Sequence, residues 1–503
     1  MSETPVLAPV PGVANADGRS RWLLPLALLG TFAAQARTLS FYFFQDDYVP
    51  FGEIVKNGTW EYLWRLTLAH DLTPNWRVIP GLMYLASYKL FGMTPLPMHI
   101  AMLALHLGTV ALLYRIVART TRRAWAAFAA ALLFGLHPAY AGAMDQVATV
   151  PHVAAAFFLV AALNAIFECT RAGRRSTANA WWALAVLLYV LALMSNESMA
   201  IIFPAFALAF LLFDEEPRSR LVRAVLRTLP FGIIGFVTAF AVKTCDCTEA
   251  SSVYSLDHAP RVFLIYIGRL LYPIGLEPPY YINPPHLYAA IVLLGIAAAA
   301  LARGSALGRI GAVWMVLAII PHIFVEDHTA NRFTYLATPG FAMLAAACAI
   351  AIAPYVLRMH ARAPLLLGSG VLAIIAPWYA MQTHLQNEPW RRTTSDWRRL
   401  HDELQRAYPD VPPGARVEVI GGRLTHPLDN FFVMPALGWT IWNPGVTLQT
   451  FAEDDPYTLK LRQSTNPYVA EFQNGRLVPI NKAPPVGVVF EEVVDKERVF
   501  RVG

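Results

Sequence analysis

Eleven apolar runs, separated by connections that alternate between arginine-rich and arginine-poor, constrain this chain more than any other feature. The runs are Trp22–Phe44, Pro95–Val117, Ala124–Leu136, Val150–Cys169, Trp181–Met194, Met199–Phe213, Leu229–Val242, Leu287–Leu301, Ile310–Phe324, Tyr335–Ala353 and Leu365–Tyr379. A bilayer leaves backbone polar groups no water to bond, so such runs span as helices. Of 503 residues, 56% are hydrophobic and 15% charged, which excludes an ordinary soluble domain. The expected fold class is an α-helical polytopic membrane protein with about eleven spans.

The net charge of +6 is not spread as a nucleic-acid footprint. Arginines gather at 115–123, 171–175, 218–227, 303–309 and 358–362, which are every second connection. Positive connections stay in the cytoplasm. The N-terminus is therefore expected inside and everything after Tyr379 outside. Residues 1–20 read as a disordered cytoplasmic segment, 21–380 as the membrane domain and 381–503 as an extracytoplasmic domain. The first run is long enough to span and no small-residue cleavage site follows it, so it reads as a span and not a signal peptide. Four cysteines form no disulfide framework.

The outer connections carry the unusual residues. Asp46 and Asp47 adjoin an aromatic stretch, Phe41 to Phe44, at the mouth of the first span. Two neighbouring carboxylates beside apolar rings repel each other, and such a pair is most easily kept where it meets a cation, a metal or a transferable proton. The first outer loop, residues 45–94, is amphipathic: Trp60, Leu63, Trp64 and Leu68, and then Val78, Leu82 and Leu85, recur at helical spacing. His70, Asp71, Asn75 and Arg77 share that loop; His137, Asp145 and His152 bracket the next outer turn; Asn196 and Glu197 occupy another. Arg269 lies in a stretch, residues 259–285, that reads as a lateral or re-entrant helix, and His322, His328 and Arg332 lie in a further outer connection. Ionisable groups at membrane depth mark function by default, and here they share one side.

Several short motifs in order resemble a known family. Asn75-Trp-Arg-Val-Ile79, His99, His106, Leu136-His-Pro138, Ala192-Leu-Met-Ser-Asn-Glu-Ser198, Asn331-Arg-Phe-Thr-Tyr-Leu336 and the segment Trp390 to Trp397 follow the acidic pair. The set resembles the C-superfamily of integral membrane glycosyltransferases (GT-C), and within it bacterial relatives of the transmembrane and tetratricopeptide-repeat-containing O-mannosyltransferases. It covers roughly residues 45 to 400. The chain departs from that family at Gly142 and Asn331, where an acidic residue is usual, at Asn196, where a basic one is usual, and in lacking the repeats. These differences bear on the donor sugar and acceptor more than on the fold.

The resemblance implies a polyprenyl-phosphate-linked sugar as donor and a protein, lipid or glycan as acceptor. Asp46 or Asp47 would take the acceptor proton. Arg332, followed by Arg77 and Arg269, would meet the leaving phosphate, since a guanidinium bonds two oxygens at once. His137, Asp145, Glu197, His70, Asp71 and Tyr335 are the expected substrate-binding residues. A divalent metal is a further option, with Asp47 as ligand and His70, Asp71, His137, Asp145 and His328 available to complete the set, although no spacing here is diagnostic. Two other functions fit the same topology: a flippase or transporter of lipid-linked sugars, and a surface-glycan ligase or polymerase. A transporter favours mid-span charges and repeated halves, which this chain lacks. The composition suits a bacterial inner membrane. After Trp397, Val417–Ile420, Phe431–Val433, Thr447–Thr450 and Val486–Val493 read as short strands of a small α/β or mainly β domain.

Overall fold

The computed structural model describes residues 21–69, 77–140, 142–214, 220–243, 257–274, 284–324, 330–359, 363–421, 429–452, 455, 457–473, 476–481, 491–494 and 499–502. Each of the eleven apolar runs is helical over at least part of its length. In chain order the helices are α1 (Leu23–Gln35), α2 (Tyr48–Trp64), α3 (Val78–Phe91), α4 (Leu96–Thr121), α5 (Ala124–Gly135), α6 (Val150–Arg171), α7 (Arg175–Leu193), α8 (Phe203–Phe213), α9 (Arg220–Lys243) and α10 (Ala259–Leu271). They continue with α11 (Pro284–Arg303), α12 (Ala306–Ile319), α13 (Thr338–Met359) and α14 (Ala363–Ala407). Among the described residues six helices, α4, α6, α7, α9, α11 and α13 with their immediate extensions, are long and apolar enough to cross a membrane by themselves. The chain is a multi-pass membrane protein.

Several apolar runs are shorter as helices than as sequence. The run Trp22–Phe44 leaves α-helix at Gln35, passes through a 3-10 stretch, Ala36–Ser40, and is extended from Phe41. The Thr38 and Ser40 hydroxyls donate to the carbonyls of Gln35 and Arg37, competing with the helical ladder at that point. The expected amphipathic loop helices are α2 and α3, with Trp60, Trp64 and Leu68 exposed. The 259–285 stretch contains α10; its second part, 275–283, lies outside the described residues.

α14 runs unbroken from 363 to 407, through the expected boundary at 380, and leads into the C-terminal unit. Strand β1 (Arg416–Ile420) is followed by helix α15 (Asp429–Ile441), β2 (Thr447–Phe451), the short α16 (Thr458–Arg462), β3 (Val469–Gln473) and β4 (Arg476–Pro479). β1 lies between β2 and β3 and is parallel to both, and β4 closes antiparallel on β3. β5 (Glu491–Val494) and β6 (Val499–Val502) form a separate antiparallel pair. The unit is α/β. Phe431–Val433, expected as a strand, lies in α15, because parallel strands need a helical crossover. Residues 486–490 of another expected strand lie outside the described residues.

α15 is seated on loop helix α2. A Cβ added at Gly52 would come within 2.6 Å of the Ala436 Cβ, so the two backbones meet where only glycine fits. Lys56 lies 4.8 Å from the Trp439 ring centre beside that contact. From α14, Trp397 stacks on Tyr48 with centroids 5.6 Å apart, and Trp390 meets Phe44 edge-on at 5.2 Å. The segment carrying the acidic pair is thus held from both sides by chain that follows it by more than 300 residues.

Candidate active site

The acidic pair sits in a single 3-10 turn, Gln45–Asp47, between the extended residues 41–44 and α2. Gln45 has φ +42°, a left-handed conformation that lets the chain reverse here. The two aspartates diverge. Asp47 is fully buried; its Oδ2 accepts the Phe44 N–H at 2.8 Å and its Oδ1 the Ala148 N–H at 2.5 Å. Burial pushes its carboxyl up to about 8, with the backbone N–H groups acting against that and the charge of Asp46 adding to it. Asp46 is half-buried, and its charge acts on Arg332 and on the buried Tyr84 of α3.

Arg332 comes from the 3-10 turn Asn331–Thr334. It donates to the Gln146 side-chain oxygen at 3.3 Å, and its guanidinium lies 5.3 Å from the Phe333 ring centre. Burial lowers its pKa, Asp46 opposes that, and Arg77 reinforces it, so both charges act on Arg332. Arg77, at the start of α3, has its Nε 3.6 Å from Glu197 Oε2. That apposition follows from the backbone: the Ile79 N–H donates to the Met194 carbonyl at the end of α7, and Asn196 caps the 3-10 turn Glu197–Ile202 through the Ser198 N–H.

Two histidines close the site from the other side. His152 lies in the first turn of α6 and His322 in the 3-10 turn Ile320–His322 that ends α12, with ring centroids 5.9 Å apart. His322 stacks on Phe333 at 4.5 Å and 12°. Arg77 and Arg332 act electrostatically on both rings. Sequence reasoning noted these histidines as polar residues on the outer side but gave them no role, and it passed over Gln146. Only proximity across the fold marks them.

The remaining expected residues distribute as follows. Arg269 is buried on α10 and donates to the Asn331 side-chain oxygen at 2.7 Å, one residue from Arg332. Asp145 is buried, accepts the Gly142 N–H at 2.9 Å, and is raised by burial to about 7. Its turn is the one that Asp47 grips through Ala148. His137 has Nδ1 accepting the Ala139 N–H at 3.1 Å, which leaves Nε2 to donate to the Leu270 carbonyl at 2.9 Å, so both ring nitrogens are committed to backbone. Tyr335 is fully buried with its hydroxyl 2.7 Å from His106 Nδ1, inside a ring cluster with Tyr140 and Phe134. His70, Asp71 and His328 lie outside the described residues.

Among the described residues no group of three or more His, Cys, Asp or Glu side chains converges, and His70, Asp71 and His328 of the expected metal set lie outside them.

The described residues form a helical bundle in which a carboxylate and two guanidiniums interact beside the helices of the amphipathic first loop. The family model for dolichyl-phosphate-mannose-protein mannosyltransferase matches residues 79–242, from α3 to α9. Among solved structures the chain is similar to the oligosaccharyltransferase of Archaeoglobus fulgidus tethered with an acceptor peptide, at 13% identity and TM-score 0.50, covering 86% of this chain and 64% of that one. It is also similar to ArnT from Cupriavidus metallidurans bound to undecaprenyl phosphate, at 15% identity and TM-score 0.48, covering 92% of both chains. No curated protein matches the chain by sequence.

Proposed function

We propose that the protein transfers a sugar from a polyprenyl-phosphate donor to an acceptor on the extracytoplasmic side of a bacterial inner membrane, with all eleven apolar helical segments at membrane depth. The observation that carries this reading is that Asp46 and Arg77 act on Arg332, while Arg77 pairs with Glu197 in the turn whose Ala200 and Ile201 line an apolar cavity. That cavity, of about 700 Å³, lies between residues 200–207 and α9, lined by Ala200, Phe203, Leu229 and Phe236. Its chemistry suits an isoprenoid tail, and the turn Glu197–Ile202 contributes both to it and to the charged site.

The step follows from this arrangement. The acceptor hydroxyl attacks the anomeric carbon and its proton passes to Asp46. The bond between that carbon and the phosphate oxygen breaks, and its electron pair leaves with the lipid phosphate. The growing phosphate charge is met by Arg332 and Arg77 in a water-poor site, where fixed cations act most strongly. Asp47 holds the turn that presents Asp46. The alternative of a transporter is disfavoured because the charges lie at one end of the bundle.

The test is to incubate the purified protein in lipid nanodiscs with radiolabelled polyprenyl-phosphate hexoses and pentoses and candidate peptide, lipid and glycan acceptors. Transfer from at least one monophosphate donor is expected. No transfer from any donor, together with measured flipping of the lipid, overturns the reading. Transfer only from pyrophosphate-linked glycans replaces it with a glycan ligase.

A further inference from the structure

Nε2 of His322 is buried with no hydrogen-bond partner among the described residues, and the buried His152 ring, which meets the Thr149 backbone, keeps a nitrogen without one. The two side chains are only 5% and 7% exposed. A buried polar nitrogen without a partner is costly, so two such atoms on neighbouring rings point to a group that binds there. The guanidiniums of Arg77 and Arg332 act electrostatically on both rings, whose centroids lie 5.9 Å apart at a tilt of 38°. Two cations repel a metal ion and attract an anion. The ring stack on Phe333, itself under Arg332, holds the His322 imidazole in a fixed plane.

The position of the pair identifies the anion. The turn Ile320–His322 packs on the turn Glu197–Ile202, whose Ala200 and Ile201 line the apolar cavity. A ligand with its tail in that cavity would carry its headgroup to the histidines. On the basis of the function proposed above, we infer that His152 and His322 are ligands of the donor's phosphate, each giving an N–H to a phosphate oxygen held between Arg77 and Arg332. The site is then built for a tetrahedral monoanion or dianion on a lipid. A neutral imidazole offers one donor and requires no counter-ion, so the pair adds hydrogen bonds beside the two guanidiniums without adding to their repulsion.

The experiment measures binding of farnesyl phosphate and of farnesol to the full-length protein in nanodiscs, alongside thermal unfolding of every variant. The double variant His152→Phe/His322→Phe keeps ring volume and removes the donors; His152→Gln/His322→Gln keeps an N–H at each position. Loss of even one charge-assisted hydrogen bond corresponds to roughly a tenfold weakening. Farnesyl phosphate affinity is expected to fall at least about tenfold in the Phe variant, to recover partly in the Gln variant, and farnesol affinity to stay constant. Equal farnesyl phosphate affinity in wild type and a folded Phe variant overturns the inference and leaves the proposed function standing. If the double Phe variant fails to fold, equal affinity of wild type and the folded single variants His152→Phe and His322→Phe overturns it instead. Failure of wild-type protein to prefer farnesyl phosphate over farnesol overturns both.

Discussion

The Asp47 carboxylate accepts the backbone N–H of Ala148 across 101 residues of chain, at 2.5 Å, while its other oxygen accepts the N–H of Phe44. One side chain therefore joins the turn of the acidic pair to the turn that carries Asp145 and Gln146, and through Gln146 to Arg332. That relationship separates the roles of two adjacent aspartates and leads to distinct expectations for each.

Replacing Asp46 with Asn removes the proton acceptor and leaves the fold. Sugar transfer should drop by roughly 10²–10⁴-fold with an unchanged melting temperature. Transfer within a few-fold of wild type would remove Asp46 from the base role. Asp47→Asn, by contrast, keeps one acceptor and sets an amide N–H₂ against the other backbone N–H. It should destabilise by about 1–3 kcal/mol, read as a lower melting temperature in nanodiscs.

The pH dependence of stability has a definite sign. Burial raises the Asp47 carboxyl to about 8, far above its unfolded value, so the folded protein holds a proton that the unfolded chain gives up. This stability is fully present below the unfolded value near 3.8 and is lost as pH rises through 8. Burial of Asp145, raised to about 7, adds in the same direction. Wild-type melting temperature should fall between pH 5 and pH 8.5, conditions chosen to bracket most of that window, at roughly neutral ionic background. Asp47→Asn should flatten the slope; an identical slope in the variant would show that Asp47 does not titrate there.

Arg332→Lys keeps the charge and loses the planar fork that bonds both Gln146 and a second oxygen. Transfer should fall by about 10²–10³-fold, the usual loss when a donor to developing charge is removed. A lysine variant with wild-type turnover would assign the leaving phosphate to another cation.

Gly142 has φ +90°, its position faces Trp390 at 3.1 Å from where a Cβ would sit, and its N–H donates to Asp145. Gly142→Val forces a branched side chain into a conformation that costs roughly 1–3 kcal/mol and against an indole ring. Lower thermal stability is expected together with reduced transfer. A variant as stable as wild type would show that the loop relaxes without cost.

At the α2–α15 contact, Gly52→Ala places a methyl 2.6 Å from the Ala436 Cβ. Overpacking of this kind costs about 1–3 kcal/mol. Ala436→Gly on the same chain should restore part of the loss, since the backbone atoms of residue 436 remain close. No rescue, with both single variants equally unstable, would show that the two helices do not bear on each other there.

Helix positions along the bundle were legible because bilayer burial is a local property: a run of sufficient apolar length becomes helix whatever its neighbours are. The loop helices α2 and α3 were legible for a similar reason, since their amphipathic spacing repeats within each segment. The same local reasoning failed at Phe431–Val433, where aromatic and β-branched residues suggested a strand. There the crossover between two parallel strands and the contact with Gly52 require helix α15.

The site divided in the same way. Sequence alone marked ionisable residues between the apolar runs, among them Asp46, Asp47, Arg77 and Arg332. Tertiary structure decided that Asp47 is spent on two backbone N–H groups, that His137 is committed to backbone at both nitrogens, and that His152 and His322 stand side by side although 170 residues separate them. The physical reason is that hydrophobicity and period act over a few neighbouring residues. A hydrogen-bond partner is chosen only when distant segments pack and the desolvated groups must be satisfied by whatever lies beside them.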